Sequence, residues 1–195
     1  MAGATPGIAV FLDRDGTLIR DVGYLRRVEQ IEILPRVPAA LRLLREQGFK
    51  LVVVTNQSAV ARGWLSEQRL REIHDALNAE LARSGAALDG LYYCPHHPTE
   101  GSGGYRMTCR CRKPDVGMIE RASAELGLAP AGSYVVGDQP TDVELADRIG
   151  ATAVLIGADQ AAPADDSVGI SAAGDLWRAA LWIVEHKKRT QGVGA

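Results

Sequence analysis

Two carboxylates lie close together near the start of the chain. Asp13 and Asp15 follow an apolar run at 8–12 in the string Asp-Arg-Asp-Gly-Thr. Carboxylates this close repel each other, and a cation bound between them relieves the repulsion. Oxygen ligands favour a hard ion such as Mg²⁺, and Asp138, which follows another apolar run, is a candidate third ligand. The alternative is that Asp13 and Asp15 only cap a turn.

Groups suited to holding an anionic oxygen follow other apolar runs. Thr55 and Asn56 come after the run at 51–54 and offer a hydroxyl and an amide, while Lys113 supplies positive charge. Catalysis of phosphoryl transfer is mostly positioning and charge neutralisation, which a metal-bound carboxylate, a hydroxyl and a lysine can provide. Together these residues predict phosphoryl-transfer chemistry.

All three cysteines of the chain and two of its four histidines lie between residues 94 and 111. Two close pairs, separated by a glycine-rich segment, offer four ligands: Cys94, His96, Cys109 and Cys111. Thiolate and imidazole are the ligands that zinc prefers, and four of them complete a tetrahedral structural site, so we expect zinc here and leave His97 out of it. The alternative is unligated thiols, buried or redox-active. A zinc-held loop would also fix the adjacent Arg112 and Lys113 over the pocket.

The elements that must position these residues alternate between strands and helices. Apolar runs predict strands at 8–12, 51–54, 88–93, 133–136 and 152–156, and helical spacing predicts helices at 38–47, 66–84, 116–126, 141–149 and 173–188. Such alternation favours a parallel sheet with helices on both faces, whose active site lies beyond the carboxyl ends of the strands. We expect one domain over 1–195, a surface loop at 157–167 and a frayed tail at 189–195.

Composition excludes several classes of protein. The chain has 195 residues, 46% of them apolar, and a net charge of −2. These values are untypical of a disordered chain and give no electrostatic reason to bind nucleic acid or membrane. The first residues lack the basic flank and long apolar region of a signal peptide, so a cytoplasmic protein is expected.

Four motifs resemble those of the haloacid dehalogenase superfamily: Asp13-Arg-Asp15-Gly-Thr, Thr55-Asn-Gln, Lys113-Pro and Gly137-Asp138-x-x-x-Asp142. The strings FLDRDGTLI, DVGY, VVVTNQSAVARG, YYCPHHP and CRCRKP resemble its heptose and histidinol phosphatase group more closely. Two departures are Gln139, where the group often has lysine, and Ala59, where it usually has glycine. The resemblance implies a three-layer αβα Rossmann-like fold with a parallel sheet, a minimal cap and a zinc-binding loop at 94–111.

The resemblance also implies roles for individual residues. Asp13 would be the nucleophile and Asp15 the general acid and base, with Thr55 and Lys113 holding the phosphoryl oxygens. Mg²⁺ would bind Asp13, Asp138 and the backbone carbonyl of Asp15, and Asp142 would orient Lys113 or a metal-bound water. The substrate would contact Asp21, Val22, Gly23, Tyr24, Thr55, Asn56, Gln57, Ser58, Arg112 and Lys113.

The activity implied is that of a Mg²⁺-dependent phosphatase with structural zinc. It would remove the 7-phosphate of heptose 1,7-bisphosphate during nucleotide-activated heptose synthesis for lipopolysaccharide or capsule, as a monomer whose only partner is the sugar substrate. The alternatives are a histidinol-phosphate phosphatase and a non-catalytic zinc-stabilised binding module. His74 and His186 are expected to be ordinary surface or packing residues.

Overall fold

Six parallel strands form one sheet in a computed structural model that describes residues 6–157 and 170–192. The strands are β1 (Ala9–Leu12), β2 (Lys50–Asn56), β3 (Gly90–Cys94), β4 (Tyr134–Gly137), β5 (Thr152–Ile156) and β6 (Ile170–Ala173). The helices are α1 (Val37–Glu46), α2 (Glu67–Arg83), α3 (Gly117–Leu126), α4 (Pro140–Ile149) and α5 (Leu176–Gly192). Short 3₁₀ turns lie at Val28–Gln30 and Gly103–Tyr105.

Local sequence signals explain where several helices begin and end. The Ser66 hydroxyl accepts the Arg69 backbone N–H at 3.1 Å and so caps the start of α2. Helices α3 and α4 end at Gly127 and Gly150, both in the left-handed conformation that glycine adopts at low cost.

The sheet is buried on both faces. Val10 and Leu12 of β1 point into a core shared with α1, α2 and α5, whereas Ala9 and Phe11 point into a core shared with α3 and α4. This alternation follows from the two-residue period of a strand. The predicted three-layer arrangement with a parallel sheet is confirmed.

Some predicted bounds were wrong. Strand β6 was not predicted, and α5 runs to Gly192, so residues 189–192 are helical rather than frayed. On α5, Leu181 is 45% exposed, whereas Trp177 and Trp182 pack against the core. The predicted loop at 157–167 lies outside the described residues except for Gly157, as do residues 193–195 of the predicted tail. None of the helices in the described ranges combines the length and apolar character needed to cross a bilayer.

The strand order 3-2-1-4-5-6 creates a crevice beside β1. From β1 the chain moves outward to β2 and β3, then returns to the other side of β1 as β4. At such a switch point the loops after neighbouring strands diverge and leave room for a ligand at their carboxyl ends. Among the described residues, the segments at 13–36 and 95–116 are the longest that border this edge, consistent with a minimal cap.

Candidate active site

A cavity of about 550 Å³ opens at this edge of the sheet. All four predicted catalytic residues line it: Asp13, Asp15, Thr55 and Lys113. So do Asp138 and most of the predicted substrate-binding residues, namely Asp21, Gly23, Tyr24, Asn56, Gln57, Ser58 and Arg112. Val22 is the exception, because its side chain is 43% exposed and faces a neighbouring surface groove. Gln139 and Thr141 line the cavity as well.

A buried lysine joins two of the carboxylates. Lys113 Nζ lies 2.9 Å from Asp13 Oδ1 and 2.8 Å from Asp142 Oδ1, and the lysine is only 4% exposed. Although burial opposes its charge, the two carboxylates raise the pKa of Lys113, so the ammonium group is ionised in this site. A fixed positive charge therefore adjoins Asp13.

Asp142 contacts Lys113 and the start of α4. One of its oxygens accepts Lys113 Nζ, and the other accepts the Gln139 backbone N–H at 3.1 Å. The backbone comes very close to this carboxylate at Gly137, where a Cβ atom would lie 2.1 Å from Asp142 Oδ2. Glycine is required at that position.

One of the two carboxylate oxygens of Asp13 has donors, and the other has none among the described residues. Its Oδ1 accepts the Arg14 backbone N–H at 2.7 Å as well as Lys113 Nζ, while no donor to Oδ2 is found in the described part of the chain. An oxygen free of donors keeps its lone pairs available for attack on an electrophile. The geometry suits the predicted nucleophile.

Asp138 is the carboxylate whose surroundings most favour a bound cation. Its Oδ1 is buried and has no hydrogen-bond partner among residues 6–157 and 170–192. Burial raises the pKa of Asp138, and the nearby carboxylates of Asp13 and Asp21 raise it further. Asp13, Asp138 and Asp142 place oxygens within 4.8 Å of one another. Because both oxygens of Asp142 already have partners, Asp13 and Asp138 are the pair that could hold a metal ion.

Asp15 is held by Arg14, which the sequence interpretation missed, and by Gln57, which was predicted to contact the substrate. The guanidinium of Arg14 grips its carboxylate through Nη2, at 3.0 and 2.8 Å from the two oxygens, and more weakly through Nε. Gln57 Nε2 donates to Asp15 Oδ2 at 3.0 Å, and Gln57 Oε1 accepts Arg14 Nη2 at 2.9 Å. Arg14 is 1% exposed, and its Nη1 lies 3.0 Å from Nε2 of His74, which is 5% exposed. His74 was expected to be an ordinary surface or packing residue; it is buried, and it also contacts Arg14, which the sequence did not indicate.

The two polar residues that end β2, Thr55 and Asn56, have different contacts. Thr55 is buried, and its hydroxyl oxygen accepts Gln57 Nε2 at 2.9 Å. Asn56 uses both ends of its side-chain amide on the backbone of Lys113, at 3.0 and 3.2 Å. The Asn56 side chain therefore fixes Lys113. From the sequence we had expected this amide to hold an anionic oxygen instead.

The cysteines and His96 form a second cluster that could hold a metal ion. Cys111 Sγ lies 3.2 Å from Cys94 Sγ, from Cys109 Sγ and from His96 Nδ1, and Cys94 Sγ lies 3.5 Å from Cys109 Sγ and 3.7 Å from His96 Nδ1. A tetrahedral zinc site with bonds of about 2.3 Å has ligand–ligand edges of roughly 3.8 Å, close to these separations. Burial raises the pKa of the Cys94 thiol, and the Cys111 thiol adds to the effect, so a cation is needed to favour the thiolate.

His97 is not part of that cluster. Its Nδ1 accepts the backbone N–H groups of Glu100 and Thr99, at 2.9 and 3.3 Å, which folds the loop back on itself. The expectation that His97 does not ligate agrees with the ligand group formed by the other four side chains.

The cysteine loop is fastened to the rim of the cavity. Arg112 Nη1 donates to the backbone carbonyl of His96 at 3.1 Å, which holds the guanidinium beside the opening. At Gly101, where φ is +94°, a Cβ atom would lie 2.0 Å from the Ala61 carbonyl oxygen. The Ser102 backbone N–H donates to the same oxygen at 3.1 Å. The loop therefore rests directly on the segment after β2.

Aromatic residues border the other side of the opening. The rings of Tyr24 and Trp64 meet edge to face with centroids 4.5 Å apart, and the guanidinium of Arg62 lies over both rings. Arg62 also forms an ion pair with Glu100 of the cysteine loop. These contacts connect the segment containing Asp21 and Tyr24 to the rest of the rim.

The sheet topology and the carboxylates, threonine and lysine that meet in the cavity are those of a phosphatase of the haloacid dehalogenase class, and a family model described as HAD-hydrolase-like matches residues 110–176. The chain is 44% identical over 159 residues to the D-glycero-beta-D-manno-heptose-1,7-bisphosphate 7-phosphatase of Haemophilus ducreyi, covering 80% of this chain and 87% of that protein. It is 43% identical to the protein of the same name from Escherichia coli K12, covering 75% of each. The chain therefore belongs to the family of D-glycero-beta-D-manno-heptose-1,7-bisphosphate 7-phosphatases.

Solved structures agree with this assignment. The D,D-heptose 1,7-bisphosphate phosphatase of B. bronchiseptica, complexed with magnesium and phosphate, superposes with a TM-score of 0.76 at 28% identity, covering 92% of this chain and 99% of that one. A putative HAD-like phosphatase from Mesorhizobium loti has a TM-score of 0.81 at 29% identity, covering 93% and 88%.

Proposed function

We propose that this protein hydrolyses the C7 phosphate of D-glycero-β-D-manno-heptose 1,7-bisphosphate and releases heptose 1-phosphate and inorganic phosphate. The single observation that carries the proposal is the cavity in which Asp13, Asp15 and Lys113 converge. Relatives at 44% and 43% identity that are named for the β anomer support this choice of sugar.

In the first half of the reaction Asp13 is the nucleophile. Its Oδ2 attacks phosphorus while Oδ1 stays bound to Lys113, so an O–P bond forms and the bond from phosphorus to the C7 oxygen breaks. The departing alkoxide takes a proton from Asp15 acting as general acid. The Lys113 ammonium and the Thr55 hydroxyl hold the phosphoryl oxygens.

In the second half, water attacks the aspartyl-phosphate. Asp15, now ionised, takes a proton from that water as the bond between phosphorus and Asp13 breaks. The carboxylate of Asp13 is regenerated, and inorganic phosphate leaves. Asp15 thus serves both half-reactions from one location, held by Arg14 and Gln57.

Mg²⁺ is the cation proposed for the carboxylate pair. Asp13, Asp138 and the backbone carbonyl of Asp15 would hold it. The buried Asp138 oxygen that has no hydrogen-bond partner among the described residues supports a cation at this position. When bound, the ion neutralises negative charge on the phosphoryl group. The related B. bronchiseptica phosphatase was crystallised with magnesium and phosphate.

Zinc is the ion proposed for Cys94, His96, Cys109 and Cys111. Three thiolates and one imidazole would fill all four positions of a tetrahedral site, which suits a structural rather than a catalytic ion. Its proposed effect is to fix the loop at 94–111 and, through the His96 carbonyl, the guanidinium of Arg112.

Phosphate release should be measured from both anomers of heptose 1,7-bisphosphate and from histidinol phosphate, with and without Mg²⁺. We expect Mg²⁺-dependent turnover with the highest kcat/KM on the β anomer. A preference for histidinol phosphate would favour the alternative enzyme, and no turnover of any ester would favour the binding module. Metal analysis of protein purified without chelators should give one zinc per chain, and its absence would remove the structural role.

A further inference from the structure

Behind the cavity lies a buried histidine that the proposed chemistry does not use. His74 is on α2, four residues after Leu70 and three before Leu77, and therefore on the helix face that enters the core. Its imidazole Nε2 lies 3.0 Å from Arg14 Nη1, and its ring is 5.5 Å from that of Tyr93.

The chemistry of arginine fixes the tautomer of this imidazole. A guanidinium only donates hydrogen bonds, so His74 Nε2 must accept and the ring proton must be on Nδ1. Burial, assisted by the Arg14 charge, lowers the pKa of His74 to about 3, so the ring is neutral near neutral pH. Nδ1 is buried without a partner among the described residues. A donor left unsatisfied in the core is costly, which indicates that the ring is placed for its Nε2 contact.

The other edges of the guanidinium face the general acid. Nη2 and Nε of Arg14 grip the Asp15 carboxylate, and Nη2 also donates to Gln57. The guanidinium therefore makes contacts with three side chains, His74, Asp15 and Gln57, and together these contacts fix its orientation. Without an acceptor at His74, one edge of the guanidinium would lack a partner and the grip on Asp15 would loosen.

We propose that neutral His74 is a positioning residue for catalysis: by accepting from Arg14 it orients the guanidinium that holds Asp15 in place for proton transfer. The inference rests on the proposed phosphatase function, because it assigns His74 a role through the general acid of that reaction. General acid catalysis contributes about 10²- to 10⁴-fold when a poor leaving group must be protonated. It contributes little for p-nitrophenolate, which departs as a stable anion. Loss of Asp15 positioning should therefore depend on the leaving group.

The test compares kcat/KM for heptose bisphosphate and for p-nitrophenyl phosphate, using the full chain with Mg²⁺. His74→Leu fills the site with an apolar side chain and removes the acceptor. It should lower kcat/KM by about ten- to hundred-fold on the sugar ester but less than about threefold on p-nitrophenyl phosphate. His74→Gln can place an amide oxygen near the position of Nε2 and should restore most of the loss. Leu77→Ala, one turn further along the same helix, is the control for loosened packing and should leave the ratio of the two values at that of wild type.

Equal losses of His74→Leu on both esters, or no rescue by His74→Gln, would overturn the proposal. If His74→Leu does not fold, the nitrogen-15 resonances of His74 in the wild-type protein decide: a protonated Nδ1 with bare Nε2 supports the contact, and a protonated Nε2 refutes it. Wild-type protein that cleaves neither ester would refute the proposed function instead, and the same imidazole resonances would still decide whether His74 accepts from Arg14.

Discussion

Replacing Arg112 with alanine should change which phosphate esters are accepted more than the chemistry performed on them. Arg112 lies beside the opening of the cavity, next in sequence to the buried Lys113. One of its N–H groups is used on the His96 carbonyl, and no carboxylate in the described ranges forms an ion pair with it. The rest of its guanidinium is free to bind a second anion, which on a heptose bisphosphate is the C1 phosphate.

The size of the effect follows from the contact that is lost. A charge-assisted hydrogen bond contributes about 1.5–3 kcal/mol, which corresponds to roughly 10- to 150-fold in kcat/KM. Lys113 keeps its two carboxylate partners in this variant, so the charge beside the transferred phosphoryl group is unchanged. Arg112→Ala should therefore impair heptose bisphosphate by that factor while p-nitrophenyl phosphate changes less than about twofold.

The assay needs a control for general damage to the cysteine loop. Arg110 provides it, because it lies on the other side of Cys111, its side chain is 78% exposed, and it pairs with Glu120 instead of facing the cavity. Arg110→Ala should leave both kcat/KM values at the wild-type level. Metal content should be measured for both variants, since Arg112→Ala also removes the bond to the His96 carbonyl. Arg112→Lys, which keeps the charge but loses the planar fork, should fall between wild type and alanine.

Equal losses on the two substrates, with zinc retained, would refute the specificity role and show that Arg112 serves the chemistry. No loss on either substrate would place its guanidinium outside the substrate contacts. In both cases the C1 phosphate would need another partner.

Other substitutions test the remaining assignments. Asp13→Asn should abolish phosphate release from every ester, because an amide is a very poor nucleophile; near-wild-type turnover in a discontinuous phosphate assay would show that the nucleophile is elsewhere. Cys109→Ser should lower zinc content and speed hydrogen exchange in the loop at 94–111 while the sheet keeps its protection; unchanged metal content would contradict the ligand assignment. Gly137→Ala should lower the free energy of unfolding in urea by about 2–4 kcal/mol, since the new methyl group displaces Asp142 from Lys113. Gly104→Ala, where a Cβ atom meets nothing within 4 Å, is its control, and equal stabilities of the two variants would argue against the close approach.

The sheet and the carboxylates could be predicted because their signals are local. Each buried strand is a short apolar run, and the polar residue that follows it is carried to the same edge by the parallel topology. Strand β6 escaped prediction because Ile170–Ala173 is composed mostly of small residues, and its place in the sheet depends on pairing with β5. Val22 was assigned with its neighbours, but the turn of the chain directs it out of the cavity.

The support behind Asp15 could not be predicted from residue types alone. Arginine is rarely buried, and the position of Arg14 between two aspartates does not indicate that its side chain is buried. A signal did exist for His74, whose spacing from Leu70 and Leu77 places it on the apolar face of α2. Nothing in that spacing says that the helix face meets Arg14, because the contact joins residues distant in sequence.

The paired hydrogen bonds between Asn56 and the backbone of Lys113 fix the position of this lysine independently of the cysteine loop. Asn56 at the end of β2 holds the lysine backbone, and Asp142 of α4 holds its ammonium group. Neither residue belongs to the loop. Changes between His97 and Thr108 that keep the close contact of Gly101 with Ala61 should therefore leave the charge beside Asp13 in place. Such changes should instead alter the rim of the cavity, where Arg112 donates to the His96 carbonyl. Divergence of this segment is thus a route to new sugar preferences on an unchanged phosphatase centre.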